Sequence, residues 1–351
     1  DVYKRQTHLH VHTEYSLLDG SNKIKEYVAR VKELGMNSAA ITDHGVMFGC
    51  IDFYKEARAQ GIKPILGCEV YVAPGSRFDR ETSRGEDRYY HLVLLAENNT
   101  GYSNLMKIVS AGFIDGFYYK PRVDMEILEK YHEGIIALSA CLAGEIPQAI
   151  LAGDYERAKS TALWYQDLFG KGNYYIELQD HGLEEDNIVL PQLIKLARET
   201  GIPMAATNDS HYLRKDDAKM QSILLCIQTG KVVTDENRMR YEGGQYFIKS
   251  EEQMKELFPY ALEALENTHK IAERCNVEIE FGVTKLPKFE VPQGYDSWTY
   301  LNKLCMDGLK ERYPDDDGTL KERLDYELST IRRMGYVDYF LIVWDLSLIH
   351  I

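Results

Sequence analysis

Thr7-His8-Leu9-His10-Val11-His12, followed by Asp19, is the stretch on which the fold turns. Histidines at alternate positions put three imidazoles on one face of an extended strand, with Leu9 and Val11 on the other. Turning imidazoles inward, with a carboxylate just past the strand's end, is a poor way to build a dry core. It suits a metal site, because neutral imidazole ligates Zn, Fe, Ni and Cu. The rest of the chain then reads as a search for further ligands.

Outward from that stretch, Ser21 or Asn22 is expected to cap a helix that runs to Leu34 and stops at Gly35. Residues 37–42 form a short buried strand ending in Asp43-His44-Gly45, and 51–60 a helix. Strands follow at 64–72, carrying Glu69, and at 89–95, carrying His91, with a polar loop over 74–87 between them. After a helix at 102–111, the strand 135–140 leads into Cys141. Helices at 145–151 and 154–168, a strand at 174–178, a helix at 185–200 and a strand at 203–207 bring the chain to Asn208-Asp209-Ser210-His211. Alternating strands and helices predict an α/β fold with a parallel sheet, and seven such units over ~210 residues predict a barrel. Chemistry in such barrels sits where strands hand over to loops, and Asp43, His44, Cys141, Asp209 and His211 fall there. Beyond 212 the pattern is helical, at 214–228, 250–257, 259–275, 297–312 and 319–334. The connector Leu286–Gly294, with two prolines and a glycine, marks the domain boundary.

The ends look foreign. One oligonucleotide, CTG-TCT-CTT-ATA-CAC-ATC, encodes 346–351 on one strand, and its reverse complement encodes 1–6. Both segments are therefore expected to derive from a sequencing adapter, leaving 7–285 as the barrel with a helical extension and 286–345 as a linker and the start of a further domain.

An apolar share of 44% and a charged share of 27% in 351 residues are ordinary for a globular protein. No run of ~18 apolar residues is present to span a membrane. The six cysteines show no CxxC pairing, which points to a reducing cytoplasm. A net charge of −14 argues against nucleic-acid binding by the surface at large, so a polyanionic substrate needs a local source of positive charge. Bound divalent cations supply one.

The candidate ligands are His10, His12, Asp19, His44, Glu69, His91, Cys141, Asp209 and His211. They exceed the about four that one zinc ion takes, and suit two or three cations. With three carboxylates and a thiolate ionised, three divalent ions leave the site at about +2, a cationic floor for a phosphodiester. Glu69, central in the order, is the candidate bridging ligand. The mixed N, O and S donors admit Zn, Mn or Fe. His8, deeper in its strand, reads as structural. His181, in Gln179-Asp-His-Gly182, is either part of a substrate pocket or held in a loop hydrogen bond. Gly116–Arg122 interleaves aromatic with basic residues, so Tyr119, Lys120 and Arg122 either stack bases and hold phosphates or cover the barrel. Asp315–Asp317 reads as a solvated turn.

His10-Leu-His12, Thr42-Asp-His44, Gly67-Cys-Glu69 and Asn208-Asp-Ser-His211 together resemble the polymerase and histidinol phosphatase (PHP) domain. The longer wording of 8–20, Leu178–Gly182 and Gly335–Trp344 resembles the N-terminal part of the bacterial replicative DNA polymerase III α subunits, over essentially all of 7–345. The resemblance implies a (β/α)7 distorted TIM-like barrel with a trinuclear metal centre at those nine positions. His12, Asp19, Glu69 and Asp209 are then the expected catalytic set. It further implies a metal-dependent 3′–5′ exonuclease trimming mispaired primer ends. The Mg-dependent polymerase palm would lie beyond 345, in what would be the thumb and palm region begun at 286. DNA, a sliding clamp and other replisome subunits are the implied partners. In some relatives the ligand positions have decayed and the domain serves as a scaffold for a separate proofreading subunit; none has decayed here. A phosphatase for small phosphomonoesters is the other enzyme class, and the attached segment 286–345 argues against it.

Overall fold

The computed structural model describes residues 6–80, 89–283 and 285–350. In chain order the elements are α1 (Ile24–Glu33), β1 (Ser38–Ile41), α2 (Cys50–Gln60), β2 (Lys63–Val72), β3 (Tyr90–Ala96), α3 (Asn99–Ile114), β4 (Phe117–Tyr118), β5 (Lys120–Val123), α4 (Met125–Tyr131), β6 (Ile135–Leu138), α5 (Glu145–Leu151), α6 (Tyr155–Phe169), β7 (Tyr174–Leu178), α7 (Glu184–Thr200) and β8 (Met204–Ala206). Next come α8 (Ala218–Thr229), α9 (Glu251–Leu257), α10 (Leu262–Arg274), α11 (Ser297–Arg312), α12 (Thr319–Arg333) and α13 (Val337–His350).

Sheet pairing runs β1-β2-β3-β6-β7-β8, and the opening segment closes the ring. On one side it meets β1, where Ala40 N–H donates to the His8 carbonyl (3.1 Å) and Thr42 N–H to the Val11 carbonyl (3.0 Å). On the other it bridges Val11 to Ser210, beyond β8. The result is the expected distorted barrel.

Two sequence expectations need correction here. The opening segment is not a regular strand: the backbone bends at His10, and Val11 and Thr13 make only isolated bridges. The bend breaks strict alternation, so Leu9 turns into the barrel beside Ala40, Ile65, Val93 and Leu138. The sheet is also mixed rather than parallel, since β3 runs antiparallel to both β2 and β6. Parallel neighbours need a crossover, usually a helix. The described residues between β2 and β3 hold none, so the chain returns directly. Residues 81–88 of the expected polar loop, and 1–5 of the expected adapter segment, lie outside the described residues.

Period-2 alternation explains where the core ends and the site begins. On β2 and β3, Cys68, Val70, Leu92 and Leu94 face outward against Leu105, Ile108 and the other helices. The inward set is apolar at one end of the barrel, with Ile65, Val93 and Leu95, and polar at the other, with Glu69 and His91. Ile271, Ala272 and Cys275 of α10 and the residue after it close the apolar end. The candidate ligands on β2 and β3 thus face one mouth.

Residues Asp1–Glu278 form one compact unit and Ile279–Ile351 a second, so the division falls slightly before the proline-rich connector. In the second unit α11, α12 and α13 meet at Leu301, Leu328 and Leu341. Its acidic run caps α12, Asp316 accepting from Leu320 and Lys321 N–H and Asp317 from Thr319 N–H. All six cysteines are free thiols, and no described helix is long and apolar enough to cross a membrane.

Candidate metal centre

At the polar mouth all nine candidate side chains converge. Glu69 lies at the centre. Its Oε1 is 3.1 Å from His10 Nε2, 2.8 Å from His91 Nδ1 and 3.8 Å from Cys141 Sγ. Its Oε2 is 2.5 Å from His44 Nδ1 and 3.6 Å from His12 Nε2. Asp209 Oδ1 stands 3.2 Å from His10 Nε2, 3.0 Å from His12 Nε2 and 3.6 Å from His211 Nδ1. Asp19 closes the opposite side, 3.1 Å from His44 Nε2 and 3.8 Å from His211 Nε2. The His12 ring is stacked between those of His44 (3.8 Å) and His211 (4.3 Å).

Such crowding needs positive charge from somewhere. His10 Nε2, His12 Nε2, His44 Nδ1, Glu69 Oε2 and Asp209 Oδ1 are all buried with no hydrogen-bond partner among the described residues. Five such atoms, meeting one another only as ion-pair contacts of 2.5–3.6 Å, are costly to bury unless something binds them. Their chemistry, imidazole nitrogen and carboxylate oxygen, fits divalent transition metals. Three groups are close enough to share a cation: His12, His44 and His211; His10, His12 and Glu69; and His44, Glu69 and His91. Without cations, protons compensate. Burial opposes protonation of His44, but Glu69 and Asp19 raise its pKa to about 10. Burial likewise opposes charge on His10, and Asp209, Glu177 and Glu69 outweigh it. Burial and the neighbouring His44 and His211 hold His12 down to about 3.

Backbone strain is concentrated here. Leu18 (φ 62°), Ala140 (φ 63°) and Asp209 (φ 43°) adopt the left-handed conformation, and they precede Asp19, precede Cys141 and form a donor respectively. Each costs about 1–3 kcal/mol, and such residues cluster at functional sites. The Asp209 turn is clamped by the segment 245–249. Asn208 Nδ2 donates to the Gln245 (2.9 Å) and Phe247 (2.8 Å) carbonyls, and His211 N–H to the Tyr246 carbonyl (2.8 Å). Asn22, expected as a helix cap, instead donates to the His12 (2.9 Å) and Ser210 (3.1 Å) carbonyls, tying the two ligand segments together. The position before α1 is Lys23, whose side chain makes no capping bond. Asp43 accepts from Thr13 N–H, the Thr13 hydroxyl and the Ser16 hydroxyl, so it knits the loop rather than facing the cluster.

A cavity of about 220 Å³ opens beside the cluster, reached by His44, His91, Cys141 and Asp209 and walled by Leu142, Met239, Tyr241 and Tyr246. His181 lines it too, while its Nε2 lies 3.0 Å from the Asn208 carbonyl and its ring stacks on Tyr246 at 3.8 Å. His8, as expected, is structural, with Nε2 2.8 Å from the Lys249 carbonyl. The 116–122 stretch is the hairpin β4–β5, paired to the end of β2. Tyr119 stands at its tip, 62% exposed. Lys120 Nζ lies 5.3 Å above the Tyr71 ring, which in turn stacks against His44. Arg122 departs from the expectation of a phosphate contact. It is 1% exposed, and its guanidinium donates to the Gly116, Arg77 and Asp79 carbonyls, fastening the hairpin to the loop after β2.

Sequence reasoning missed Glu177, whose Oε1 is 2.7 Å from His10 Nδ1, and Tyr241, whose hydroxyl reaches Asp19 (3.3 Å) and His211 (3.2 Å). A carboxylate inside a buried strand was a readable signal for Glu177. Tyr241 carried none, because a long irregular segment delivers it.

Residues 8–181 match the family model of the PHP domain, and 299–349 match that described as the bacterial DNA polymerase III alpha NTPase domain. DNA polymerase III subunit alpha of Treponema pallidum is 49% identical over 96% of the chain, and that of Borreliella burgdorferi 48% identical over 97%. The chain spans 29% and 30% of those relatives. Among solved structures, an amidohydrolase from Chromobacterium violaceum is similar at a TM-score of 0.38 and 15% identity, covering 59% of this chain and 87% of that one. With its donor cluster at the polar mouth of a distorted barrel, the chain carries a PHP domain and belongs to the family of bacterial DNA polymerase III α subunits.

Proposed function

We propose that His10, His12, Asp19, His44, Glu69, His91, Cys141, Asp209 and His211 hold two or three divalent cations (Zn, Mn or Fe), and that the site hydrolyses the terminal phosphodiester of a mispaired primer 3′ end. The observation that supports this most is the set of five buried imidazole and carboxylate atoms crowded into one space, 2.5–3.6 Å from one another and none in a hydrogen bond of normal geometry. Bound cations there supply Lewis acidity and lower the pKa of water. Glu69 spans the cluster as the bridging carboxylate; Asp19 and Asp209 flank it, and His12 sits between them. Tyr119 and Lys120 take the approaching strand, and His181 walls the pocket for its end. In the parent protein this activity accompanies Mg-dependent DNA synthesis by aspartates outside 7–345, with a sliding clamp and other replisome subunits as partners, in the cytoplasm.

The test is to load the purified chain with Zn or Mn and offer a primer carrying a mismatched 3′ end. Stepwise shortening that a chelator abolishes is expected. Metal-loaded protein that leaves the ends intact would refute the exonuclease and favour a scaffold docking a separate proofreading subunit.

A further inference from the structure

Glu177 is buried in β7, 1% exposed, at a position where nothing about packing calls for a charge. One of its oxygens takes every partner. Oε1 is 2.7 Å from His10 Nδ1 and accepts from Gln179 Nε2 (2.9 Å) and from the Thr207 hydroxyl. Oε2 is buried with no partner among the described residues. A fully buried carboxylate so unevenly satisfied is expensive to desolvate. Its arrangement makes sense through His10. A carboxylate on Nδ1–H fixes the tautomer that leaves Nε2 free, and Nε2 is the atom 3.1 Å from Glu69 and 3.2 Å from Asp209. The other imidazoles on this side differ. His12 Nδ1 meets only the Ser16 hydroxyl (3.1 Å), and His211 Nδ1 the backbone carbonyl of Asp209 (2.8 Å).

We propose that Glu177 is a positioning residue that orients His10 and strengthens it as a donor for the cation shared by His10, His12 and Glu69. This rests on the cation-holding reading above. Glu177 touches no substrate; it acts through one imidazole, so its effect belongs to one cation position and leaves the His44–Glu69–His91 position in place.

The experiment compares the full chain with Glu177→Gln and Glu177→Asp, measuring Zn and Mn content and affinity, and thermal unfolding of the metal-free proteins. Glu177→Gln is expected to weaken one cation by about 10–100-fold, the usual effect of losing such a partner, while the remaining cations stay. Its metal-free form should unfold below the wild-type temperature, because protonated His10 then loses a buried carboxylate partner 2.7 Å away. Glu177→Asp, keeping the charge at a longer reach, should fall between. Unchanged metal affinity in Glu177→Gln, or loss of every cation at once, would overturn the positioning role. Wild-type protein that binds no cation would overturn the underlying reading as well.

Discussion

Glu69 approaches four of the five clustered imidazoles within 3.6 Å, from His44 at 2.5 Å to His12 at 3.6 Å. A carboxylate so placed meets more of the other donors than any of them does, and two of the three groups able to share a cation contain it. Glu69→Gln should therefore release more metal than His12→Ala or Asp209→Ala, each of which should lose one cation; elemental analysis of the three variants measures the difference. The sign of the pH dependence follows from His44. Its pKa, opposed by burial but raised to about 10 by Glu69 and Asp19, means that the metal-free site holds a proton at neutral pH. A cation must displace that proton, so affinity should rise with pH up to about 10, by about tenfold per unit for one released proton. Competition with a chelator at several pH values gives the slope. Close packing matters as much as charge here. A Cβ added at Gly20 would lie 2.2 Å from the Thr13 carbonyl oxygen, so Gly20→Ala should cost about 3 kcal/mol in denaturant unfolding.

Most elements were legible because their patterns are local: β7 at Tyr174–Leu178, α5 at Glu145–Leu151 and α11 at Ser297–Arg312 coincide with the spans read from the sequence. Direction was not legible. Period-2 alternation is the same in either sense, so nothing within β3 announces that it runs against its neighbours. Nor does composition separate a buried arginine from an exposed one, which is why Arg122 read as a phosphate contact beside Tyr119 and Lys120. The hairpin now divides their roles. Arg122→Met would take one donor from three carbonyls, of which Gly116 and Arg77 keep another, and should destabilise the barrel unit by about 1–3 kcal/mol. Tyr119→Ala and Lys120→Ala should leave unfolding unchanged and instead weaken binding of a single-stranded primer end several-fold. Fluorescence anisotropy with a labelled oligonucleotide, beside a denaturation curve, separates the two outcomes.

On the scale of the whole molecule, an acidic chain of net charge −14 gathers metal-type donors, not basic side chains, at one mouth; under the proposed function, cations held there would offset that charge for a polyanionic substrate. The nine candidate donors were readable because most sit just past a strand end or on an inward strand position, and because the family motifs pass through them. Glu177 and Tyr241 were not read, since their part depends on which imidazole each meets in space. Everything functional in this account depends on several cations sharing one pocket. Crystals of the metal-loaded chain, measured at the absorption edge of the bound metal, test that claim most directly. Two or three anomalous peaks within ligand distance of Glu69, His12 and His211 are predicted; peaks elsewhere on the surface, or none at this mouth, would contradict it.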